Sequence, residues 1–352
     1  MKYLFYVWMI IVSIASSIAS SEPIWFGNTQ AERSLTIYSA VDLDAFEPLL
    51  KQFVVRNPEL KVAYLDINTL ALYHQVIAEQ AQPIASLVIS SAMDLQLKLV
   101  NDGLAQTYQS PSTEALPAMA KWRNQIFAFS LEPVVMLVNQ TLFPGGTLPE
   151  DRQAVLQSIR QFSDHLDGKI GTYDIRTSGV GYLLASQDAR QADATWGRLL
   201  EAFGSHNVQT YCCTRDIIDD VATGKLVLGY NLLGSYAHKR ALSDPRLTMI
   251  MPSDYTLLLM RVALIPKFAP NVDDAGLFLD FLLSQEGQTM MLSEDLLFPI
   301  QASENGKNSL LKSAHPTRII ELDQQLLVGR DVAKQTRFIE NWEFALELAP
   351  ER

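Results

Sequence analysis

The stretch IFAFSLEPVVMLVNQ, residues 126–140, decides the fold. It is a long β-rich run that contains Pro133 and interrupts an otherwise regular alternation. Before it, the strand candidate LTIYSA (35–40) precedes the helix DLDAFEPLLKQFVVRNP, whose Leu43, Phe46, Leu50, Phe53 and Val54 share one face and which Pro58 closes. KVAYLDI, LALYHQVIAEQA, ASLVIS and SAMDLQLKLVNDG continue the pattern as strand, helix, strand and helix, with Ser90 or Ser91 as the last N-cap and Gly103 past the end. This βαβαβα order is that of a sheet covered by helices.

After the long run and the loop FPGGTLPED the alternation restarts. KIGTYDI, GYLLASQDAR, ATWGRLLEAFG, NVQTYCC, DIIDDVATG, KLVLGYN, GSYAHKRAL and LTMIMP read in turn as strands and helices. A second long apolar run, YTLLLMRVALIP from Tyr255, closes this section, broken only by Arg261. AGLFLDFLLSQEGQTMML and AKQTRFIENWEFALE follow with helical spacing. Two α/β blocks and two long β runs predict two lobes joined by two crossing strands that serve as a hinge. Residues 34–131 with 262–352 form the first lobe and the C-terminal helices, and residues 132–261 the second. The cleft between them is lined by carboxyl ends of strands and amino ends of helices, where ligands of open α/β sheets sit.

The first residues place the chain. MKYLFYVWMIIVSIASSIASSEP has one early lysine, a short apolar core and then small residues, the form of a secretory signal peptide cut after Ala19. No later segment has the length of a transmembrane helix, so the expectation is an exported, soluble, periplasmic protein. The net charge of −11 becomes −12 once Lys2 leaves with the leader, which argues against a nucleic-acid partner. The only cysteines, Cys212 and Cys213, are adjacent. They either close a vicinal disulfide or lie on a strand pointing to opposite faces with one buried; the strand reading is the expectation. They are too few for zinc.

The candidate site gathers at strand-to-helix turns. YDIRTSGVGYLL puts Arg176, Thr177, Ser178 and Gly179 where a strand runs into a helix. Amide groups at a helix start have no partner inside the helix and attract anions. Glycine lets a ligand approach, the hydroxyls donate, and the arginine can grip an oxyanion with two parallel bonds. Capping alone also accounts for such a turn. Ser39 follows the first strand, Ser90 and Ser91 the third, and Asn231, Ser235 and Tyr236 lie in YNLLGSYA. Convergence of these turns on one pocket is expected from the two-lobe arrangement. Glu132, on the first crossing run, either accepts from ligand hydroxyls or makes a hinge salt bridge. Trp122 and Arg123 more simply pack their loop.

There is no nucleophile elbow, no zinc-protease helix and no phosphate loop, and the five histidines lack ligand spacing. No catalytic residue, metal or cofactor is expected.

LTIYSA, SSAMDLQLKLVNDGLA, LEPVVMLVNQ, YDIRTSGVGYLL, GYNLLGSYA and FLDFLLSQEGQ together resemble the periplasmic solute-binding proteins of the ferric-iron and phosphosugar transporter class, nearest the branch of the phosphoglycerate transport regulatory proteins. The likeness spans nearly the whole mature chain and implies a type II periplasmic binding fold. Iron-binding members carry adjacent tyrosines where this chain has Leu232, Leu233 and Gly234, with Tyr236 alone further on, which argues against ferric ion. The serine-rich turns with a basic residue suit the organic-anion members instead.

The expectation is therefore a monomeric, exported binding protein that captures a small phosphorylated or carboxylated metabolite and hands it to an ABC permease. A sensor histidine kinase as partner, a ferric-binding protein and a secreted hydrolase using a serine in one of the turns are the alternatives. Arg176→Ala is expected to weaken binding strongly without disturbing the empty protein.

Overall fold

The computed structural model describes residues 22–301 and 315–348, so the expected leader and its cut after Ala19 lie outside the described residues. The chain opens with strands β1 (Ile24–Gly27) and β2 (Arg33–Ser39), followed by α1 (Leu43–Arg56), β3 (Leu60–Asp66), α2 (Thr69–Ala78), β4 (Leu87–Ser90) and α3 (Met93–Asn101). The helical face read from α1 is the buried one: Phe46, Leu50 and Phe53 lie in the core with Leu49, and Leu43 and Val54 pack at its margin. Full burial of each such side chain contributes about 1.5–3 kcal/mol before the entropy of ordering is counted. A short helix α4 (Pro111–Glu114) and strand β5 (Lys121–Trp122) lead into β6 (Ile126–Asn139).

All residues of β6 are buried, and it belongs to both halves of the molecule. From Ile126 to Pro133 it runs antiparallel to β11 (Thr256–Leu264). From Val134 it pairs instead with β9 (Leu228–Leu233) on one side and β10 (Leu247–Ile250) on the other. Pro133 lacks an N–H to donate, and it sits where the ladder changes partners. With β7 (Ile170–Tyr173) and β8 (Gln209–Tyr211) the result is one sheet in the order β1-β3-β2-β4-β11-β6-β9-β7-β8. Its first half carries α1 to α3. Its second half carries α5 (Arg152–Gln161), α6 (Ser163–Leu166), β7 (Ile170–Tyr173), α7 (Gly179–Gln191), α8 (Asp193–Ser205), β8 (Gln209–Tyr211), α9 (Thr214–Thr223) and α10 (Gly234–Ser243). These are the two lobes of the expected architecture.

The C-terminal part divides between them. Helices α11 (Val272–Leu283) and α12 (Gln285–Ser293), separated at Ser284, pack on α1. Strand β12 (Thr317–Ile319) adds to β11. A 3-10 turn, Gln324–Arg330, then crosses α3, and α13 (Val332–Ala345) packs on α8, where Trp342 enters the second lobe's core. The sequence grouped these helices with the first lobe; the apolar face around Trp342 and Phe338 finds its partners, Trp196 and Tyr182, in the second. The return strand also differs from expectation, since β11 is already paired with the first half of β6 at Leu258.

Three local readings are corrected. Cys212 and Cys213 form a disulfide in the turn after β8, not a pair on opposite faces of a strand, because β8 stops at Tyr211. Neither Ser90 nor Ser91 is the N-cap of α3: that place is Ala92, and the Ser90 hydroxyl accepts from the Ala92 amide. Asn231 lies inside β9 and not in the turn after it, at φ 62°, a left-handed conformation that asparagine tolerates. Among the described residues no helix is long and apolar enough to cross a membrane.

Candidate functional site

The lobes meet along a seam built from strand ends and helix starts. Asp42, before α1, donates its amide to the Tyr236 hydroxyl of α10 at 3.0 Å and accepts from Arg215 of α9 at 2.9 Å. Thr69, at the start of α2, accepts from the Val180 amide of α7 at 3.2 Å. Gly179 approaches the first lobe so closely that a Cβ there would lie 2.6 Å from Leu95 and 3.3 Å from the Ala92 Cβ. The larger of the two buried apolar clusters runs through both lobes without a break. The lobes are closed on one another.

At the centre of this seam is Arg261, on β11, with no exposed surface. Strand β4 pairs with β11 as far as Val262, opposite Ser90, and Ser91 follows directly in the chain. The β6–β11 register shifts beside Arg261, where β6 carries one extra residue, Phe129, between the partners of Arg261 and Val262. The Arg261 Nε donates to Glu132 Oε1 at 3.1 Å, while Glu132 Oε2 accepts from the Ser235 amide at 3.1 Å. The Tyr236 ring lies 4.8 Å from the guanidinium. Burial opposes the charge on Arg261, but Tyr236 and Glu132 outweigh it and hold its pKa above the usual arginine value. Burial likewise pushes the Tyr236 hydroxyl up.

What remains unmatched is informative. Nη1 and Nη2 of Arg261 and the hydroxyls of Ser91 and Ser235 are buried and have no hydrogen-bond partner among the described residues. Burying such groups unpaired costs about 1–3 kcal/mol each, more when charged. A guanidinium fork with free donors is a group from which an oxyanion can accept two parallel bonds.

The turns singled out in the sequence are brought together here, though their side chains divide in role. Ser39 accepts from the Val41 amide at 3.0 Å, and Ser178 caps α7 by accepting from the Gly181 amide at 3.2 Å. Ser90, Ser91, Glu132, Gly179, Ser235 and Tyr236 all lie on the seam. Thr177 is exposed to solvent. Asn231 donates to the buried Asp188 at 2.8 Å, within a network that also takes Arg152, Tyr230 and Tyr255. The two parallel bonds expected from Arg176 to an oxyanion go to Asp174, from Nε at 2.9 Å and Nη2 at 2.6 Å, with Glu343 of α13 beyond. Its guanidinium also lies 5.7 Å from the Trp342 ring. That arginine clasps the C-terminal helix onto the second lobe.

Sequence reasoning passed over Arg261 as an interruption of an apolar run. Its signal was that very position, because a lone charge inside a fully buried strand is costly unless something meets it. A cavity of 340 Å³ opens beside the seam between Asp42, Asp44, Arg215, Tyr236 and Lys239. The larger hollow, 950 Å³, lies at the other end of α1 around Arg56 and Asn57, roughly 20 Å from Asp42 by helix rise, and has no part in this site.

Comparison with known proteins shows the family of the chain and its fold. The sequence model described as bacterial extracellular solute-binding protein matches residues 65–305. A substrate-binding protein of an ABC transporter from Agrobacterium tumefaciens is 32% identical, with 93% of this chain and 99% of that one covered and a TM-score of 0.87. The periplasmic binding protein AfuA from Actinobacillus pleuropneumoniae, solved with exogenous fructose 6-phosphate, shares the fold at 19% identity, 90% and 100% coverage and a TM-score of 0.71. Iron-bound HitA from Pseudomonas aeruginosa shares it at 16% identity, 76% and 86% coverage and a TM-score of 0.64. The resemblance to periplasmic solute-binding proteins of ABC transporters, and the two-lobed fold it implied, hold, while the likeness to AfuA and HitA shows the fold alone.

Proposed function

The chain belongs to the bacterial extracellular solute-binding proteins, and we propose that its own solute is a small organic anion, a phosphorylated or carboxylated metabolite, delivered to an ABC permease. One observation carries this reading: the buried, charged guanidinium of Arg261, with both Nη groups unmatched, at the seam between the lobes. Glu132 takes the Nε side and leaves the outer fork for the ligand. Ser91 reaches the ligand from the first lobe, and Ser235, at the start of α10, from the second. A solute held by both lobes favours the closed form over the open one by its differential affinity for the two. The closed form is what a membrane partner then reads. The Agrobacterium relative, described as part of an ABC transporter, supports a permease as that partner.

Ferric ion suits this site poorly. It calls for several anionic oxygen ligands, whereas the unmatched groups here are a cationic guanidinium and neutral hydroxyls.

The test is a thermal-shift and calorimetric screen of the exported protein against fructose 6-phosphate, phosphoglycerates, and di- and tricarboxylates, with neutral sugars and ferric citrate alongside. A specific anion raises the unfolding midpoint through mass action. A response confined to neutral sugars or to iron defeats the proposal.

A further inference from the structure

We propose that the Cys212–Cys213 disulfide is a redox switch on lobe closure, in which the oxidised form holds the seam shut and the reduced form loosens it.

The disulfide joins adjacent residues and stands in the turn between β8 and α9, with Cys213 at the N-cap position of α9. Every residue of this turn touches the seam or what lies behind it. Asn68, the N-cap of α2 in the first lobe, donates through Nδ2 to the Cys212 carbonyl at 3.4 Å and lies 3.7 Å from Cys213 Sγ. Thr214 meets the buried Tyr173 hydroxyl, and Arg215 reaches Asp42 across the seam. Neighbouring Thr69 accepts from the Val180 amide, so α2 is docked on the second lobe at two successive residues. Both cysteines are partly exposed, within reach of a reductant.

Bonding of neighbouring sulfurs closes a small ring that includes the 212–213 peptide and fixes both the carbonyl and the sulfur that Asn68 meets. A dithiol reductant attacks one sulfur through a mixed disulfide, then closes its own disulfide. The Sγ–Sγ bond breaks, and two electrons and two protons pass from the reductant to give two S–H groups. The sulfurs then part to van der Waals separation, about 3.5–4 Å. The ring opens, the peptide is freed and the Asn68 contacts lose their fixed partner. The closed form depends on those contacts and the open form does not, so reduction moves the balance toward open. Weaker solute retention follows if ligand capture works by closure as proposed above, but the switch is read at the seam without any ligand.

The measurement is amide hydrogen exchange at Val180 in the ligand-free protein, before and after dithiothreitol, with free thiols counted. Two thiols and an exchange rate about threefold or more faster at Val180, reversed on reoxidation, are expected. Exchange at Ile37, in β2 of the core, stays unchanged. Asn68→Asp keeps the α2 cap but removes the donor, since asparagine and aspartate cap equally well. In its oxidised state this variant exchanges like reduced wild type, and reduction adds nothing further. Four results each overturn the switch: no thiols released, an unchanged Val180 rate, acceleration shared by Ile37, or a full redox response in Asn68→Asp. Failure of fructose 6-phosphate or the other anions to bind is a separate result that bears only on the choice of solute.

Discussion

Arg261 and Glu132 lie diagonally across the β6–β11 ladder, Nε to Oε1 at 3.1 Å, with neither side chain exposed. The second oxygen of the same carboxylate holds the amide of Ser235 in the other lobe. One buried carboxylate thus orients the guanidinium and ties α10 to the pivot strand. Removing Arg261 strands that carboxylate, which costs about 3–5 kcal/mol of stability. Arg261→Ala is therefore expected to lower the unfolding midpoint of the empty protein and to weaken anion binding about 100-fold or more. Arg261→Lys keeps the charge but not the fork, and falls between. Calorimetric titration with the anion found in the screen, beside thermal unfolding, measures both. Unaltered affinity in Arg261→Ala removes the anchor from the proposal.

Ser91 and Ser235 separate a binding role from a structural one. Their hydroxyls have no partner among the described residues, so Ser91→Ala and Ser235→Ala leave the empty protein as stable as before, or slightly more stable. Each removes a donor to a charged ligand, worth about tenfold in affinity. A fall in stability with affinity intact points to structural hydroxyls.

Arg176→Ala is expected to do the reverse of what the sequence suggested. Its guanidinium is held by Asp174 and Glu343 and lies 5.7 Å from the Trp342 ring, so the loss appears in stability and in protease resistance of α13. Anion affinity stays within about threefold of wild type, as for a site with no shared partners. A large affinity loss in an otherwise stable variant would restore Arg176 to the cleft.

Gly179→Leu tests closure. Even a Cβ at this position meets Leu95 at 2.6 Å and Thr69 at 3.1 Å across the seam, and a longer side chain cannot be absorbed. The open form has no such conflict. Affinity falls about fivefold or more by roughly the cost of overpacking, about 1–3 kcal/mol, and the empty protein shifts toward the open form, with faster amide exchange at Val180. Equal affinity shows that the solute binds without closure at this seam.

The pH profile follows from two raised groups. Arg261 titrates above its usual value because Tyr236 and Glu132 outweigh burial, and burial pushes Tyr236 up from its usual value near 10. Neither loses a proton below about pH 9, so affinity for a phosphate ester is flat from neutral pH to that point. It falls on the acid side, where the ester's second proton returns near pH 6. Titrations at stepped pH check this; a decline between pH 7 and 9 contradicts the assignment of Arg261.

Much of this molecule was already determined by local pattern. The alternation before Ile126, the unbroken apolarity of β6 and the face of α1 each follow from periodicity within a few turns or strands, and so the two lobes were legible. So were the turns that meet at the seam, because hydroxyl, glycine and helix start are adjacent in the chain. Which arginine faces the seam was not legible. Arg176 sits in a turn of suitable composition, yet Asp174, two residues earlier, and Glu343, from the far end of the chain, take its donors. Arg261 sits in an apolar strand, where its lone charge signals that something must meet it but not what or from which lobe. The Glu132 carboxylate and the docking of α10 turn it into a site. Those are contacts between residues more than a hundred positions apart, and side-chain direction and pairing at that range come only from register and packing, which local composition does not encode.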